Sequence, residues 1–410
     1  MRIVFVNKYY PPFNASTAHL LRDLASHLAR EHEVHVITGA APYVSDDACL
    51  RPPRSEILEN VHVRRVWCLG STRKSTLGRM ADYLSFLAGA FLQVLLQQNT
   101  AVLVVMTTPP LLAIPGMIAA RLKGCRLVLW NMDMYPDALA AHGMLRETNR
   151  TYRALSWLAG KGYRACGRII ALDQYMARRL ENHGVPSTTI RVCSNWDRPV
   201  AGAEDRPARP AASMEFRGRT GAGSASVVFL YFGNLGLAQD TALLCAGMKR
   251  VVLNNERAVF AFVGGGKRFA EVEQFALREK LPRIHFTGYF RKEDMAVPLL
   301  AADVGLLMLK GSFNGVGTPS KTYSLLAAAL PLLFVGAPDC EVADVIRKAR
   351  CGVQVNEDDV DGFVRACEAY IADPAQRHAD GQSALRSFQA QYEMSKVVPR
   401  LAQLVLSADA

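Results

Sequence analysis

The stretch GVGTPSKTYSLLAAALP, from Gly315 to Pro331, joins a loop of small residues to an apolar run that predicts a helix. Pro319 suits the first turn of that helix, because the N–H that proline lacks has no partner there. A helix start offers free N–H groups and a partial positive charge, and Lys321, directly after Ser320, adds a full charge. The stretch therefore predicts a phosphate site, although an ordinary loop-to-helix junction with a solvated lysine has the same pattern.

Two glycine-rich turns earlier in the same half of the chain support the phosphate interpretation. The apolar strand VVFLYF runs into the turn GNLG (233–236), and the strand over 258–263 ends in GGGK (264–267). Glycine lets the backbone approach a phosphate, and open α/β sheets bind ligands at the carboxyl ends of their strands. The three features are therefore expected at one sheet edge. Neither turn has the GxGxxG spacing with an acidic partner that is typical of a nicotinamide site.

Strands and helices alternate from the first residue, which predicts an α/β fold. The strand RIVFV (2–6) precedes a helix over 19–29 and a strand over 34–38, and the alternation starts again at Val227. This order is typical of parallel sheets covered by helices. Between the halves, residues 201–224 are rich in Ala, Gly, Pro and Arg and lack periodicity, which predicts a linker. The expected domains are therefore 1–200 and 225–385.

The loop NMDMYPD, residues 131–137, leaves the carboxyl end of a predicted strand in the first half. It carries two carboxylates, Asp133 and Asp137, at a position where such sheets bind ligands. Aspartate is also common in turns, so turn chemistry is the alternative. Asp133 lies closer to the strand end and is the better candidate for a functional group.

The net charge of +11 is concentrated in the first half of the chain, where residues 1–200 hold 24 Lys and Arg against 14 Asp and Glu. Residues 201–410 are nearly neutral, with 24 against 23. This asymmetry indicates a polyanionic partner, such as nucleic acid, an anionic bilayer or a phosphorylated substrate. No basic stripe is interleaved with aromatic residues, so nucleic acid is not the expected partner.

The segment over 73–97 predicts a long helix that is basic at its start and apolar afterwards. It is either a core helix of the sheet or an interfacial helix resting on a membrane. Its apolar run over 83–96 is shorter than the roughly 18–20 residues of a membrane span. The N-terminal run Ile3–Val6 is too short for a signal peptide, and nine cysteines without a CxxC pair indicate a reducing compartment. These features predict a cytoplasmic protein, peripheral on the inner face of the cytoplasmic membrane.

Motifs along nearly the whole chain together resemble family 4 glycosyltransferases. In the second half these motifs are FGNLGLAQ, FVGGGKRFAEVE, FTGYF, AADVGLLML and TPSKTYSLLAAALPLL. In the first half, VNKYYPP, HEVHVIT, NMDMYPD and VCSNWDRP are similar to the surface-polysaccharide sub-group that includes colanic-acid fucosyltransferase-like enzymes. The resemblance implies a GT-B fold, in which two Rossmann-like domains face a cleft and a final helix, here 386–410, packs back towards the first domain.

The resemblance also implies a retaining transfer of sugar from a nucleotide-sugar donor, bound by the second domain, to a lipid-linked or surface-glycan acceptor. The nucleotide sugar is a substrate, and no cofactor is expected. The catalytic candidates are Lys321, which would neutralise the leaving diphosphate, and Asp133, which would lie near the acceptor or sugar. The expected donor-binding residues are Gly233, Asn234, Gly236, Gly264, Gly266, Lys267, Thr287, Gly288, Tyr289, Pro319, Ser320 and Lys321.

The sequence departs from the family pattern at the positions where many relatives carry a pair of glutamates. Val316 and Ser324 stand there, so the grip of the later glutamate on ribose or sugar is absent or moved. The D-x-D at Asp359–Asp361 is interpreted as a helix cap, which favours a metal-independent reaction. Two alternatives stay open: a nucleotide-sugar 2-epimerase of similar fold, and a nucleotide-sugar-binding protein whose catalysis has lapsed.

Overall fold

The structure, a computed structural model, describes residues 1–40, 52–69, 76–205 and 209–407. It divides into two compact units. Unit 1 comprises Met1–Ser194, Gly315–Gly317 and Val397–Ala410, and unit 2 comprises Asn195–Asn314 and Thr318–Lys396. Each unit contains its own sheet.

The described part of unit 1 contains an eight-stranded sheet in the order β3-β4-β2-β1-β5-β6-β7-β8, in which only β3 is antiparallel to its neighbour. Its strands are β1 (Arg2–Val6), β2 (Glu33–Gly39), β3 (Ser55–Leu58), β4 (Val61–Val66), β5 (Thr100–Met106), β6 (Arg126–Trp130), β7 (Arg168–Ala171) and β8 (Ile190–Val192). Its helices are α1 (Ser16–Leu28), α2 (Thr76–Leu96), α3 (Ala113–Lys123), α4 (Asp137–Ala141), α5 (Arg150–Arg164) and α6 (Gln174–Asn182).

The described part of unit 2 contains a six-stranded parallel sheet in the order β11-β10-β9-β12-β13-β14. Its strands are β9 (Val227–Asn234), β10 (Ala258–Gly265), β11 (Ile284–Thr287), β12 (Val304–Leu309), β13 (Leu332–Gly336) and β14 (Gly352–Val355). Its helices are α7 (Ala211–Arg219), α8 (Thr241–Asn254), α9 (Phe269–Arg278), α10 (Ala296–Ala301), α11 (Lys321–Ala327), α12 (Glu341–Ala349), α13 (Val360–Ala372) and α14 (Pro374–Ser387). The last helix, α15 (Met394–Leu406), begins in unit 2 and is part of unit 1 from Val397.

The strand order of unit 2 is that of a Rossmann fold: β9 to β11 extend the sheet in one direction, and β12 to β14 extend it in the other. Two layers of apolar side chains cover this sheet, one containing Phe229 and Phe260, the other Leu230 and Ala261. Neighbouring residues on a strand point to opposite faces, so both faces of the sheet are buried. The prediction of two Rossmann-like domains is confirmed.

The segment predicted to be a linker contains helix α7, which the sequence analysis missed. Phe216 and Arg217 of this helix are buried within unit 2. The Arg217 guanidinium donates to the Asp303 carboxylate at 2.8 Å and to the Ser226 carbonyl at 2.9 Å. A pairing between residues 86 positions apart leaves no periodic pattern, which is why the composition alone indicated a linker.

Helix α2 is anchored to unit 1 by a buried ion pair. Lys8, which follows β1, is fully buried, and its Nζ lies 2.7 Å from Oδ2 of Asp82 on α2. The ammonium group also lies 5.2 Å from the Tyr83 ring centre and 5.4 Å from that of Phe86. This ion pair ties α2 to the end of β1.

The outer face of α2 is apolar and exposed. The exposed large side chains on it are Leu77, Met80, Leu84, Leu92 and Leu96. By length and composition the helix over Leu77–Leu96 could cross a membrane, with a mean hydropathy of 1.2 and 22% of the segment buried inside the protein. The prediction that no apolar segment is long enough to span a membrane is therefore wrong. Of the basic residues predicted at the helix start, Arg73 and Lys74 lie outside the described residues, and Arg79 is exposed on α2.

Candidate active site

Two glycine turns meet at the carboxyl edge of the sheet in unit 2. Gly233 on β9 pairs in register with Gly264 on β10, and the Leu235 N–H donates to the Gly265 carbonyl at 2.7 Å. A Cβ added at Gly264 would lie 2.3 Å from the Gly233 carbonyl oxygen, and φ is +137° there. A Cβ at Gly266 would lie 2.5 Å from Oδ1 of Asn234. Only glycine allows the two turns to pack this closely.

Lys321 lies against the first of these turns. Its Nζ donates to the hydroxyl oxygen of Tyr231 at 2.7 Å, lies 4.0 Å from the centre of that ring, and is 3.5 Å from the Asn234 carbonyl. A Cβ added at Gly233 would be 3.8 Å from the same nitrogen. Tyr231 in turn donates to the Asn234 carbonyl at 2.9 Å. The ammonium group is therefore held beside the backbone of the turn.

Lys321 has no acidic partner within the described parts of the chain, and this determines its electrostatics. The side chain is half-buried, and burial lowers the pKa of Lys321 to about 7, because a low-dielectric environment disfavours the charged form. Burial also raises the pKa of the Tyr231 hydroxyl far above its usual value, so the tyrosine stays neutral. The site thus offers a cation whose charge becomes fully stable only when an anion arrives.

The helix after the loop is shorter than predicted. It begins at Lys321 with Ser320 as its N-cap, so Pro319 precedes the cap rather than lying in the first turn. It ends at Ala327 instead of continuing to Leu330, and Ala329 has a φ of +52°. A helix of this length contributes less positive potential at its start than was expected, so binding of an anion here depends more on the Lys321 ammonium.

The other predicted donor residues occupy the same edge with differing exposure. Tyr289, beyond β11, packs its ring so closely on Gly265 that a Cβ there would lie 2.9 Å from the ring, although the side chain is 63% exposed. Thr287 ends β11 and Gly288 follows it, exposed. Lys267 is exposed, and no ion pair holds it within the described residues. Gly236 donates its N–H to Oε1 of Gln239 at 2.7 Å, a contact that the sequence analysis did not consider.

A carboxylate lies beside position 324, where the sequence lacks the expected glutamate. The Ser324 hydroxyl donates to Oδ2 of Asp197, in the segment SNWDRP. Oδ1 of Asp197 accepts from the Arg198 N–H at 2.8 Å, and the Asp197 N–H donates to the Tyr392 carbonyl at 3.2 Å. Asp197 was not among the predicted site residues, because it is 127 positions from Ser324 in the chain.

In unit 1, Asp133 lies in a loop fixed by Thr107. The N–H groups of Met132 and Asp133 donate to the Thr107 hydroxyl at 3.1 and 3.0 Å. The Asp133 carboxylate is half-buried and, among the described residues, makes no ion pair. Burial raises the pKa of Asp133 to about 6, because its charged form loses hydration without gaining a cation.

The second carboxylate of this loop has a structural role. Asp137 is buried, and its Oδ2 lies 3.0 Å from Nε2 of His183 while Oδ1 accepts from Arg179 at 3.3 Å. Burial by itself would raise the pKa of Asp137, but the contacts with His183 and Arg179 lower it. Of the two candidates, Asp133 is the one whose carboxylate is uncompensated.

The acidic motif near the C-terminus caps a helix, as predicted. Oδ1 of Asp359 accepts from the Gly362 N–H at 2.6 Å at the start of α13. Asp361, in the first turn, pairs with Arg250. These contacts confirm the prediction that the D-x-D motif is a helix cap.

The two Rossmann-like sheets define a protein of the GT-B class. Residues 16–196 match the family described as Glycosyl transferase 4-like domain, and residues 226–373 match Glycosyl transferases group 1. The first match covers strands β2 to β8 and the second covers strands β9 to β14, so each match lies within one of the two sheets. The colanic-acid fucosyltransferase-like sub-group stays a prediction.

Individual relatives agree with this assignment. The probable glycosyltransferase WbjE of Pseudomonas aeruginosa is 27% identical over 248 residues, which is 60% of this chain and 60% of the length of that relative. Anabaena HepE, solved in complex with UDP, has 13% identity and a TM-score of 0.72 with all of both chains covered. WaaG, a glycosyltransferase involved in lipopolysaccharide biosynthesis, has 16% identity and a TM-score of 0.68 over 99% of this chain and 100% of its own. At these identities the solved structures show a shared fold.

Proposed function

We propose that the chain is a retaining glycosyltransferase that moves a sugar from a nucleotide-sugar donor to a lipid-linked or surface-glycan acceptor. The observation that carries the proposal is the Lys321 ammonium beside the Gly233–Asn234 turn, without an acidic partner in the described chain. HepE has a related fold and was solved with UDP and with UDP-glucose, which supports a donor of this class. We propose Asp197 as the carboxylate that replaces the missing glutamate in holding the ribose or sugar.

In this reaction the bond between the sugar C1 and the diphosphate oxygen breaks, and the acceptor oxygen forms a new bond to C1. Negative charge develops on the leaving diphosphate, where Lys321 and the N–H groups of the glycine turns would stabilise it. The acceptor hydroxyl must lose its proton. A carboxylate with a pKa of about 6, such as that of Asp133, suits proton transfer near neutral pH, so we propose Asp133 for a role on the acceptor side.

We propose that the reaction needs no metal, because lysine and backbone N–H groups supply the positive charge and Asp359 is engaged as a helix cap. Turnover should therefore persist in a chelator. Loss of activity in the chelator and its return with Mg²⁺ or Mn²⁺ would contradict this part of the proposal.

We propose a cytoplasmic protein, peripheral on the inner face of the cytoplasmic membrane. The exposed apolar face of α2 and the positive charge of residues 1–200 support this location. The full chain should co-sediment with anionic vesicles, and high salt and the variant Leu84→Ser/Leu92→Ser should each weaken binding. The matched control is Leu253→Ser/Leu277→Ser, which removes two exposed leucines from unit 2. Equal binding by all three proteins would exclude α2 as the contact.

The function itself is tested by incubating the full chain with a panel of nucleotide sugars and following the sugar by NMR. A transferase releases nucleotide diphosphate and, with a suitable acceptor, forms a glycoside whose anomeric configuration matches the donor. A 2-epimerase would instead change the configuration at C2. Tight binding without any release of nucleotide across the panel would favour the lapsed binding protein and contradict the proposal.

A further inference from the structure

A second concentration of positive charge lies at the opposite edge of the sheet in unit 2. Here the amino ends of the strands and helix α14 line a cavity of about 410 Å³ that is open to solvent on one side. Four arginines line it, namely Arg209, Arg217, Arg257 and Arg377, together with His378. Among the residues that the structure describes, the lining contains one carboxylate, that of Asp303.

The two inner arginines are occupied by protein groups. Asp303 Oδ1 accepts from Arg209, and Oδ2 accepts from Arg217 and from the Val228 N–H, both at 2.8 Å. Arg217 also donates to the Ala301 carbonyl at 2.7 Å. Burial would raise the pKa of Asp303, but the two guanidinium groups lower it, so the carboxylate stays charged. Both of its oxygens are used, and it compensates only one of the four positive charges.

The two outer arginines keep donors available. Arg257 uses Nε to donate to the Ala225 carbonyl at 2.9 Å, and Arg377 uses Nη1 to donate to the Tyr370 carbonyl. Across the described residues, the remaining terminal nitrogens of these two guanidinium groups make no hydrogen bond to protein. Burial lowers the pKa of Arg377, the Asp303 carboxylate opposes this shift, and the nearby positive charges of Arg257, Arg209 and Arg217 lower the pKa further.

We propose that this cavity binds a small anion bearing phosphate groups, with Arg257 and Arg377 as the residues that grip it. Arginine binds phosphate oxygens through two parallel N–H donors, and the excess of three positive charges matches a multiply charged ligand. The volume lies in the range of small-molecule sites, and His378, Gln382 and Ser224 line the same cavity with further polar groups. A cavity of this volume fits a small anion better than the extended backbone of a nucleic acid.

The proposed site is distinct from the nucleotide-sugar site. Strand β9 runs from Val227, at the arginine edge, to Asn234, at the glycine turn. Eight residues of strand span roughly 25 Å, so one ligand does not reach both edges. A bound anion would connect the segment before β10, which holds Arg257, to helix α14, which holds Arg377. Its binding should therefore stabilise unit 2 against unfolding.

The test uses pyrophosphate as the probe, with the full chain, by calorimetric titration and thermal unfolding. The wild type and Lys321→Ala should both bind it at the arginine cavity and gain thermal stability. In Arg257→Gln/Arg377→Gln, the affinity for pyrophosphate should fall by about tenfold or more for each guanidinium group removed. Its affinity for UDP should stay unchanged. The matched control is Arg278→Gln/Arg365→Gln, which removes two exposed arginines elsewhere in unit 2.

Equal pyrophosphate affinity in Arg257→Gln/Arg377→Gln and its control would overturn the proposal. So would complete loss of binding in Lys321→Ala, because the probe would then occupy only the nucleotide-sugar site. If the double variant does not fold, the single variant Arg257→Gln carries the same test, since that side chain is exposed. None of these outcomes depends on glycosyl transfer, so failure here and failure of the proposed function are separable.

Discussion

Two buried or half-buried lysines, one in each unit, have opposite electrostatic environments. Lys8, after β1 in unit 1, is fully buried and paired with Asp82 at 2.7 Å. Lys321, at the glycine turns in unit 2, has a phenol and a carbonyl as neighbours and, in the described chain, no carboxylate. A compensated lysine holds a fold together, whereas an uncompensated one is poised to bind an anion. The difference separates a structural cation from a functional one.

The largest expected effect is on Lys8. Lys8→Met should lower the free energy of unfolding by about 3–5 kcal/mol, because it leaves the Asp82 carboxylate buried without its partner. Denaturant unfolding measures this loss. The double variant Lys8→Met/Asp82→Leu should recover most of it, since no buried charge remains. If the double variant is as unstable as the single one, packing rather than charge pairing explains the role of Lys8.

The next largest effect is on Lys321, where catalysis should change and stability should not. Lys321→Ala should lower turnover by about 10²–10³, equivalent to roughly 3–4 kcal/mol of barrier, because the leaving diphosphate loses its cation. Lys321→Arg should rescue only in part, since a planar fork does not replace a point charge. Donor consumption and melting temperature are measured together.

The control for this experiment is Lys348→Ala, which removes an exposed lysine of α12. Its turnover should match that of the wild type. Wild-type turnover in Lys321→Ala would make Lys321 a solvated residue at a helix start. A large fall in the melting temperature of Lys321→Ala would instead make Lys321 a structural cation like Lys8, and the two lysines would then not differ in role.

The pKa of Lys321 should also differ between the free protein and its complex with a nucleotide. In the free protein the pKa is lowered to about 7, so between about pH 7 and 10.5 the unfolded chain binds a proton that the folded chain does not. Stability should therefore rise with pH through this window. Binding of UDP should reverse the shift, because the diphosphate favours the charged lysine, and should take up close to one proton at about pH 8.

Proton uptake is measured by calorimetry in buffers of different ionisation enthalpy. About pH 8 is the right condition, because the phosphate group of UDP, with a pKa near 6, is then fully ionised. Lys321→Arg is the control, since arginine stays charged and should bind UDP without uptake. Equal uptake by the wild type and Lys321→Arg would assign the proton to another group.

The sequence predicted the elements of this site better than it predicted their partners. The Gly233 and Gly264 turns could be located because an apolar strand followed by glycine is a local pattern. The contact between Lys321 and Tyr231 joins residues 90 positions apart, and Tyr231 appears in the sequence only as one apolar residue of a buried strand. Tyr231 lies two residues before Gly233, and residues two apart on a strand lie on the same face. This spacing is the signal that could have placed Tyr231 beside the turn.

Other partners were missed for the same reason. The pairs Lys8–Asp82 and Arg217–Asp303 are each more than seventy positions apart in sequence, so only the fold brings them together. Helix α7 was interpreted as a linker because its sequence has no apolar stripe, and the Arg217–Asp303 pair that fixes it cannot be seen in the local sequence. The residues of local motifs could therefore be predicted from the sequence, but the distant partners that compensate buried charges could not.

The smallest expected effect concerns Tyr231, which positions the Lys321 ammonium. Tyr231→Phe removes the 2.7 Å hydrogen bond to Nζ but keeps the ring 4.0 Å from it. A hydrogen bond of this kind contributes about 0.5–1.5 kcal/mol, so turnover should fall by roughly 2-fold to 13-fold. Tyr231→Leu also removes the ring, and its turnover should fall further because the cation–π contact, worth about 0.5–2 kcal/mol, is lost as well.

The control addresses the glycine turn, because the Tyr231 hydroxyl also donates to the Asn234 carbonyl and its loss could change the turn itself. Unchanged UDP affinity in Lys321→Ala/Tyr231→Phe relative to Lys321→Ala alone would show that Tyr231 acts through the lysine. A further loss in the double variant would show that Tyr231 supports the glycine turn independently.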